Sequence, residues 1–78
     1  MISATDLEAL LRETFPDAQM ELTDLTGGMD HWQVAMTDSA FAGKTTIARH
    51  RLVYAAVGDA MAGPIHALSL TLKAPGEA

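Results

Sequence analysis

The chain has 78 residues, no cysteine and a formal net charge of −5, values typical of one small acidic domain. A domain of this size buries only about 60% of the surface of its unfolded chain, so an elaborate enzyme is not expected. Without cysteine, neither a disulfide nor a thiolate metal site can form within the chain. The ten acidic against five basic residues also disfavour nucleic acid, whose phosphates attract basic proteins.

The start of the chain lacks the basic residues and the long apolar stretch of a secretory signal. No apolar run is long enough to span a bilayer. We therefore expect a soluble cytoplasmic protein. No linker, repeat or low-complexity stretch divides residues 1–78, so we predict one domain whose last residues, 73–78, form a flexible tail.

The first predicted element is a helix over residues 5–15. Thr5 and Glu8 fit a capping box, in which each side chain bonds the backbone N–H of the other residue. Apolar side chains then recur at helical spacing, and Pro16 ends the pattern. These apolar residues are Leu7, Leu10, Leu11 and Phe15.

Two strands joined by a turn follow the first helix. Residues 19–25 and 31–37 alternate polar and apolar side chains, which is typical of half-buried strands. In the second strand, the alternate residues from Trp32 to Met36 share one side. The two adjacent glycines between the strands favour a tight turn over a ligand-binding loop. We predict an antiparallel hairpin.

The longest apolar pattern lies between residues 44 and 61 and predicts the main helix. Its apolar seam is spaced at 3, 4, 3 and 4 residues. Gly63 and Pro64 end this helix, and residues 65–72 alternate again as a last strand. In the loop before the helix, we expect Phe41 to close one end of the core. The seam consists of Ile47, His50, Tyr54, Val57 and Met61.

A strand, a helix and a further strand favour a right-handed crossover, so the second and third strands should be parallel. The sequence therefore predicts an α/β fold in the order αββαβ, with a three-stranded mixed sheet and both helices on one face. No enzyme motif is present, because the glycines lack the spacing of a phosphate-binding loop. Ser69, His66 and Asp30 form a triad only in the sense that any sequence of this composition offers one. We expect no enzymatic activity.

Three histidines are the candidate metal ligands besides carboxylates. His50 lies on the predicted seam and fits a packed, hydrogen-bonded residue more readily than a ligand. His31 opens a strand after the glycine turn and fits an exposed surface histidine. His66 begins an otherwise apolar strand, where its ring either bonds a backbone carbonyl or leaves a nitrogen for a metal. The residues alone leave these alternatives open.

Three blocks in the second half of the chain resemble the BolA family. They are FAGK at 41–44, RHRLVY at 49–54 and IHALSL at 65–70, which are similar to the family patterns F-x-G-K, R-H-R-x-V-Y and I-H-A-L-S-L. The resemblance covers nearly the whole chain. It implies a fold similar to the class II K-homology (KH) domain and a non-enzymatic accessory protein of iron–sulfur cluster and iron homeostasis.

The same resemblance implies a monothiol glutaredoxin as partner and a [2Fe–2S] cluster that the two proteins share with glutathione. His66 matches the cluster-ligating histidine of the family. His31, in the region where relatives supply a second Cys or His, is the candidate second ligand. Strict strand alternation puts the two rings on different sides of the sheet unless His31 belongs to the turn. Residues expected to contact the partner are Lys44, Arg49, Arg51, Ile65 and Ala67.

The KH-like fold implies an alternative function, that of a nucleic-acid-binding transcriptional regulator. Lys44, Arg49 and Arg51 would contact phosphates in that case. The net charge and the absence of a G-x-x-G clamp disfavour this hypothesis. A protein-interaction domain without metal is a third hypothesis.

Overall fold

A computed structural model describes residues 1–58, 63, 65 and 67–77. Within these ranges the chain forms two α-helices, three strands and one 3₁₀ turn. No helix in the described part is both long enough and apolar enough to cross a membrane. Three residues of the predictions lie outside the described residues: Met61, Pro64 and His66.

Helix α1 spans Ala4–Arg12 and begins one residue before its predicted start at residue 5. Its N-cap is Ser3, whose hydroxyl accepts the N–H of Asp6 at 3.1 Å. The predicted capping box is wrong, because the residue expected to cap is already helical. Glu8 accepts a hydrogen bond from the Arg12 guanidinium at 2.9 Å instead of reaching back. Glu8 and Arg12, which lie one turn apart on the same side of α1, therefore stabilise the helix as a pair.

The predicted hairpin is confirmed. Strand β1 (Gln19–Asp24) pairs antiparallel with strand β2 (His31–Thr37). Strand β3 (Ala67–Lys73) pairs parallel with the other side of β2, also as predicted. The order β1-β2-β3 makes β2 the central strand and leaves β1 and β3 as edges of the described sheet.

Helix α2 spans Thr46–Val57 and begins after its N-cap, Thr45, whose hydroxyl accepts the N–H of Ala48 at 3.2 Å. It ends at Gly58, whose φ of 53° lies in the left-handed region that favours glycine. The predicted stop is wrong, since α2 ends well before Gly63. A glycine within the apolar pattern ended the helix before the proline did.

The face of α2 that packs on the sheet matches the predicted seam only in part. Val57 of the seam is buried at 2% exposure, but Ile47 and Tyr54 of the seam are 66% and 40% exposed. Val53, which lies outside the seam, is fully buried. His50 is hydrogen-bonded as predicted, with Nδ1 2.8 Å from the Thr46 carbonyl oxygen, but its ring lies beside the exposed Tyr54. Apolar residues occur around the whole helix, so their spacing did not distinguish the buried side.

Both helices pack on one face of the sheet, as predicted. The alternation of β2 places Trp32, Val34 and Met36 in the core, each at most 3% exposed. Phe41, in the 3₁₀ turn Ser39–Phe41, is fully buried in the same cluster. The buried helix residues that meet them are Leu7 and Leu11 of α1 and Val53 and Val57 of α2.

The residues after β3 are bound to the rest of the domain, which differs from the expected flexible tail. Ala74 is 6% exposed. Glu77 accepts the N–H of Ala74 at 3.0 Å and bonds the Arg49 guanidinium through both carboxylate oxygens, each at 2.7 Å. This contact joins α2 to the end of the described chain.

Candidate functional site

The loop between β1 and β2 is organised by the carboxylate of Asp24. It accepts the backbone N–H groups of Thr26, Gly27 and Met29 at 3.3, 3.0 and 3.1 Å. Gly27 has a φ of 82° and Met29 a φ of 58°, so the chain turns twice through left-handed backbone before β2 begins. The predicted turn is therefore a loop ordered by hydrogen bonds, and it ends at His31, the first residue of β2.

His31 is held by the residue that precedes it. Its Nδ1 lies 3.0 Å from Oδ1 of Asp30, and the Thr26 hydroxyl lies 3.3 Å from the same oxygen. The hydrogen bond from His31 is the main cause that lowers the pKa of Asp30, with burial opposing it and the Thr26 bond adding to it. An ionised carboxylate only accepts, so Nδ1 is the donor in this bond, and the neutral tautomer that fits it has its lone pair on Nε2.

The start of β3 lies directly opposite His31. The parallel register pairs His31 with Ala67, and the Ala67 N–H donates to the carbonyl oxygen of Asp30 at 3.1 Å. His31 and Ala67 fall on the face opposite the buried Trp32, because side chains alternate along each strand. His66 directly precedes Ala67 in sequence but lies outside the described residues, so convergence of the two imidazoles stays a prediction.

The basic residues predicted to bind a partner do not form one free surface. Arg49 has a side chain only 14% exposed and bonds both oxygens of Glu77. It also donates to the carbonyl oxygens of Lys44 at 3.0 Å and Leu72 at 3.2 Å. The Glu77 bond raises the pKa of Arg49 above its ordinary value. Arg49 is thus a structural residue, and the nucleic-acid hypothesis keeps only Lys44 and Arg51 as exposed cations.

The two predicted contact residues that flank His66 differ in their accessibility. Ile65 is 1% exposed and belongs to the core, so it cannot contact a partner directly. The prediction for Ile65 is corrected on this ground, since isoleucine is among the residue types that are most often fully buried. Ala67 is exposed and remains available.

Two functional neighbours were not predicted from sequence. Asp30 orients the ring of His31 through a hydrogen bond, and the carboxylate of Glu77 binds the guanidinium of Arg49. Asp30 could have been found as the residue adjacent to the histidine, whereas Glu77 lies far from Arg49 in sequence and gave no local signal. Among the residues that the structure describes, no three His, Asp or Glu side chains converge in a way that could hold a metal ion.

Comparison with known proteins decides the family. The family model described as BolA-like protein matches residues 9–77, which is most of the chain. The chain belongs to the BolA family. The BolA assignment agrees with the three sequence blocks and with the order of helices and strands.

Two relatives in sequence and one in structure illustrate the match. The chain is 35% identical over 75 residues to the Rickettsia prowazekii protein RP812, covering 95% of this chain and 97% of that protein. It is 33% identical over 78 residues to mouse BolA-like protein 1, of which it covers 57%. The BolA domain of SufE1 from Arabidopsis thaliana superposes with a TM-score of 0.87 at 26% identity, with both chains fully covered. The fold is therefore the BolA fold.

Proposed function

We propose that this BolA chain is a non-enzymatic accessory protein of iron–sulfur metabolism. It pairs with a monothiol glutaredoxin and helps to hold a [2Fe–2S] cluster that glutathione also supports. The observation that carries the proposal is the register of the parallel strands. It places Ala67, the residue after His66, opposite His31, where the two parallel strands begin.

The hydrogen bond between Asp30 and His31 supports a ligand role for His31. Metal-binding histidines in proteins commonly donate their second ring N–H to a carboxylate, which fixes the tautomer and the ring direction. Asp30 supplies such a carboxylate at 3.0 Å from Nδ1. With Nδ1 as the donor to Asp30, the neutral ring would bind iron through Nε2, the nitrogen further from the backbone.

The composition supports a shared rather than an internal cluster site. The chain has no cysteine, so thiolate ligands come from the glutaredoxin and glutathione. Imidazole is a suitable ligand for one iron of a two-iron cluster, where it raises the reduction potential relative to thiolate. The structural match to the BolA domain of SufE1 supports an iron–sulfur setting.

The accessible residues near the starts of β2 and β3 define the proposed contact with the partner. Ala67 is exposed beside His31, and its small side chain allows close approach. Lys44 and Arg51 are exposed cations of the α2 region and are proposed as further contacts with an acidic partner surface. Arg49 and Ile65 stabilise the domain instead.

The test is anaerobic reconstitution with a monothiol glutaredoxin, glutathione, iron and sulfide. We expect a heterodimer whose visible absorption and circular dichroism spectra differ from those of the glutaredoxin homodimer. His66→Ala and His31→Ala should each abolish this difference. His50→Ala is the matched control, because its imidazole bonds the Thr46 carbonyl oxygen on α2 and should leave the spectrum unchanged.

The outcomes separate the parts of the proposal. A heterodimer with the unchanged homodimer spectrum contradicts the cluster role and leaves the partner role in place. If the spectral difference is lost in His66→Ala but kept in His31→Ala, His31 is not a cluster ligand. If no heterodimer forms in size-exclusion chromatography with or without the cluster, the glutaredoxin proposal is wrong.

A further inference from the structure

The outer edge of β3 presents backbone groups in an alternating pattern. The Ala67 N–H donates to the carbonyl oxygen of Asp30, and the Lys73 carbonyl oxygen accepts the N–H of Asp38. In a parallel pair, residues bonded to the neighbouring strand alternate with residues whose N–H and C=O point the other way. The residues of β3 whose backbone N–H and C=O groups point away from β2 are therefore Leu68, Leu70 and Leu72.

One end of this edge is already capped. The carbonyl oxygen of Leu72 accepts a hydrogen bond from Arg49 at 3.2 Å, and Glu77 holds the guanidinium in place. This bond also confirms that the backbone carbonyl group of Leu72 points away from β2. Among the described residues, no strand or side chain bonds the outward N–H and C=O groups of Leu68 and Leu70.

The open part of the edge lacks the protection that edge strands usually carry. Residues 67–72 contain no charge and no proline, and the first cation is Lys73 beside the capped end. Natural edge strands are commonly guarded by charges, prolines or bulges against pairing with another chain. The β1 edge, by contrast, carries Glu21 and Asp24.

We propose that β3 pairs antiparallel with β3 of a second copy, about a twofold axis at Ser69. Leu68 of each copy then faces Leu70 of the other, and each such pair exchanges two backbone hydrogen bonds. This register pairs the N–H and C=O groups of Leu68 and Leu70 on both edges. An axis at Leu70 would instead bring a strand against Leu72, where Arg49 already sits.

A second copy fits this edge better than a longer foreign strand. Within β3 the open stretch is as long as the self-complementary pairing requires, because β3 begins at Ala67 and the Arg49 cap lies at Leu72. Each copy carries a net charge of −5, so repulsion weakens the pair and added salt strengthens it. Since few groups are joined, the association is weak and reversible.

Cysteine trapping tests the register directly, because the natural chain has no cysteine. In the proposed pair, Ser69 faces Ser69 of the second copy in a non-hydrogen-bonded pair with Cα atoms about 4.5 Å apart. That distance permits a disulfide. Thr71 lies on the same exposed face, but Thr71 of the second copy is four residues further along, about 13 Å away.

We expect Ser69→Cys to form a disulfide-linked dimer in glutathione redox buffer about tenfold or more faster than Thr71→Cys, because pairing raises the local thiol concentration. Circular dichroism checks that both variants are folded. Equal rates, or a faster reaction of Thr71→Cys, would overturn the proposed register. The same holds if neither variant forms a dimer faster than a free thiol peptide.

Sedimentation equilibrium tests the pairing without a covalent bond. Ser69→Lys puts two like charges opposite each other, whereas Thr71→Lys faces Ala67 of the second copy. We expect concentration-dependent dimers, strengthened by salt, in the natural chain and in Thr71→Lys but not in Ser69→Lys. A monomer at millimolar concentration, or a dimer unaffected by Ser69→Lys, contradicts the proposal.

Discussion

Trp32 buries an indole N–H that has no hydrogen-bond partner in the described part of the chain. The side chain is 3% exposed and packs in the core. A buried donor without an acceptor costs about 1–3 kcal/mol, whereas the large ring contributes apolar contact. At this position the size of the ring and the polarity of its nitrogen act in opposite directions on stability.

We expect Trp32→Phe to change the free energy of unfolding by less than about 1 kcal/mol, because removing the unpaired N–H offsets the lost ring volume. Trp32→Ala should lower it by about 3–5 kcal/mol. Urea unfolding followed by far-ultraviolet circular dichroism measures both variants on one scale. If Trp32→Phe costs as much as Trp32→Ala, the indole N–H contributes a bond that the present structure does not show.

Single residues of the candidate site were predictable to different degrees. His31 could be placed at the start of a strand because alternation and the glycine turn are local signals. The bond from His31 to Asp30 depends on side-chain rotation and on the loop that Asp24 organises, neither of which the spacing of residues specifies. The accessibility of Ile65 likewise depends on packing, so its burial became clear only from the fold.

At the scale of elements, the strands were predicted more accurately than the main helix. The alternation of β2 has one polar and one apolar side, so its buried face follows from the sequence. In α2, the stripe through Ile47 and Tyr54 and the stripe through Val53 and Val57 both have helical spacing. The choice between them is made by tertiary packing, which local periodicity does not contain.

The orientation of α2 predicts a contrast between two truncations. Val53→Ala removes methyl groups from a fully buried site and should lower the free energy of unfolding by about 2 kcal/mol. Ile47→Ala, at an exposed site on the same helix, should change it by no more than about 0.5 kcal/mol. Urea unfolding of the two variants is the measurement. The reverse order of the two effects would show that α2 packs by its other face.

At the scale of the whole molecule, Arg49 connects parts that are distant in sequence. Its guanidinium bonds the carbonyl oxygens of Lys44 before α2 and Leu72 in β3, and the carboxylate of Glu77 near the chain end. Glu77 also caps the N–H of Ala74. A bidentate arginine–carboxylate pair is among the stronger and more directional charged hydrogen bonds. The helix, the edge strand and the terminal turn are thus held by one group.

This connection predicts a specific loss of stability in acid. The bond from Arg49, followed by the Ala74 N–H, lowers the pKa of Glu77 from its ordinary 4.5 to about 2. A carboxyl with a depressed folded-state pKa stabilises the fold above the unfolded value and loses that contribution as pH falls towards the folded value. The contribution of Glu77 should therefore be complete above pH 4.5 and decline towards pH 2.

We expect the urea midpoint of the natural chain to exceed that of Glu77→Gln at pH 7, and the difference to shrink as pH falls from about 4.5 towards 2. Glutamine keeps the side-chain volume and an acceptor for Ala74 but not the charge that Arg49 binds. Glu13→Gln is the matched control, since it removes one negative charge from an exposed position at the end of α1. It should follow the pH dependence of the natural chain. A difference between the natural chain and Glu77→Gln that stays constant from pH 7 to about 2 would mean that neutral packing of the terminal turn, rather than the ion pair, holds the end of the domain.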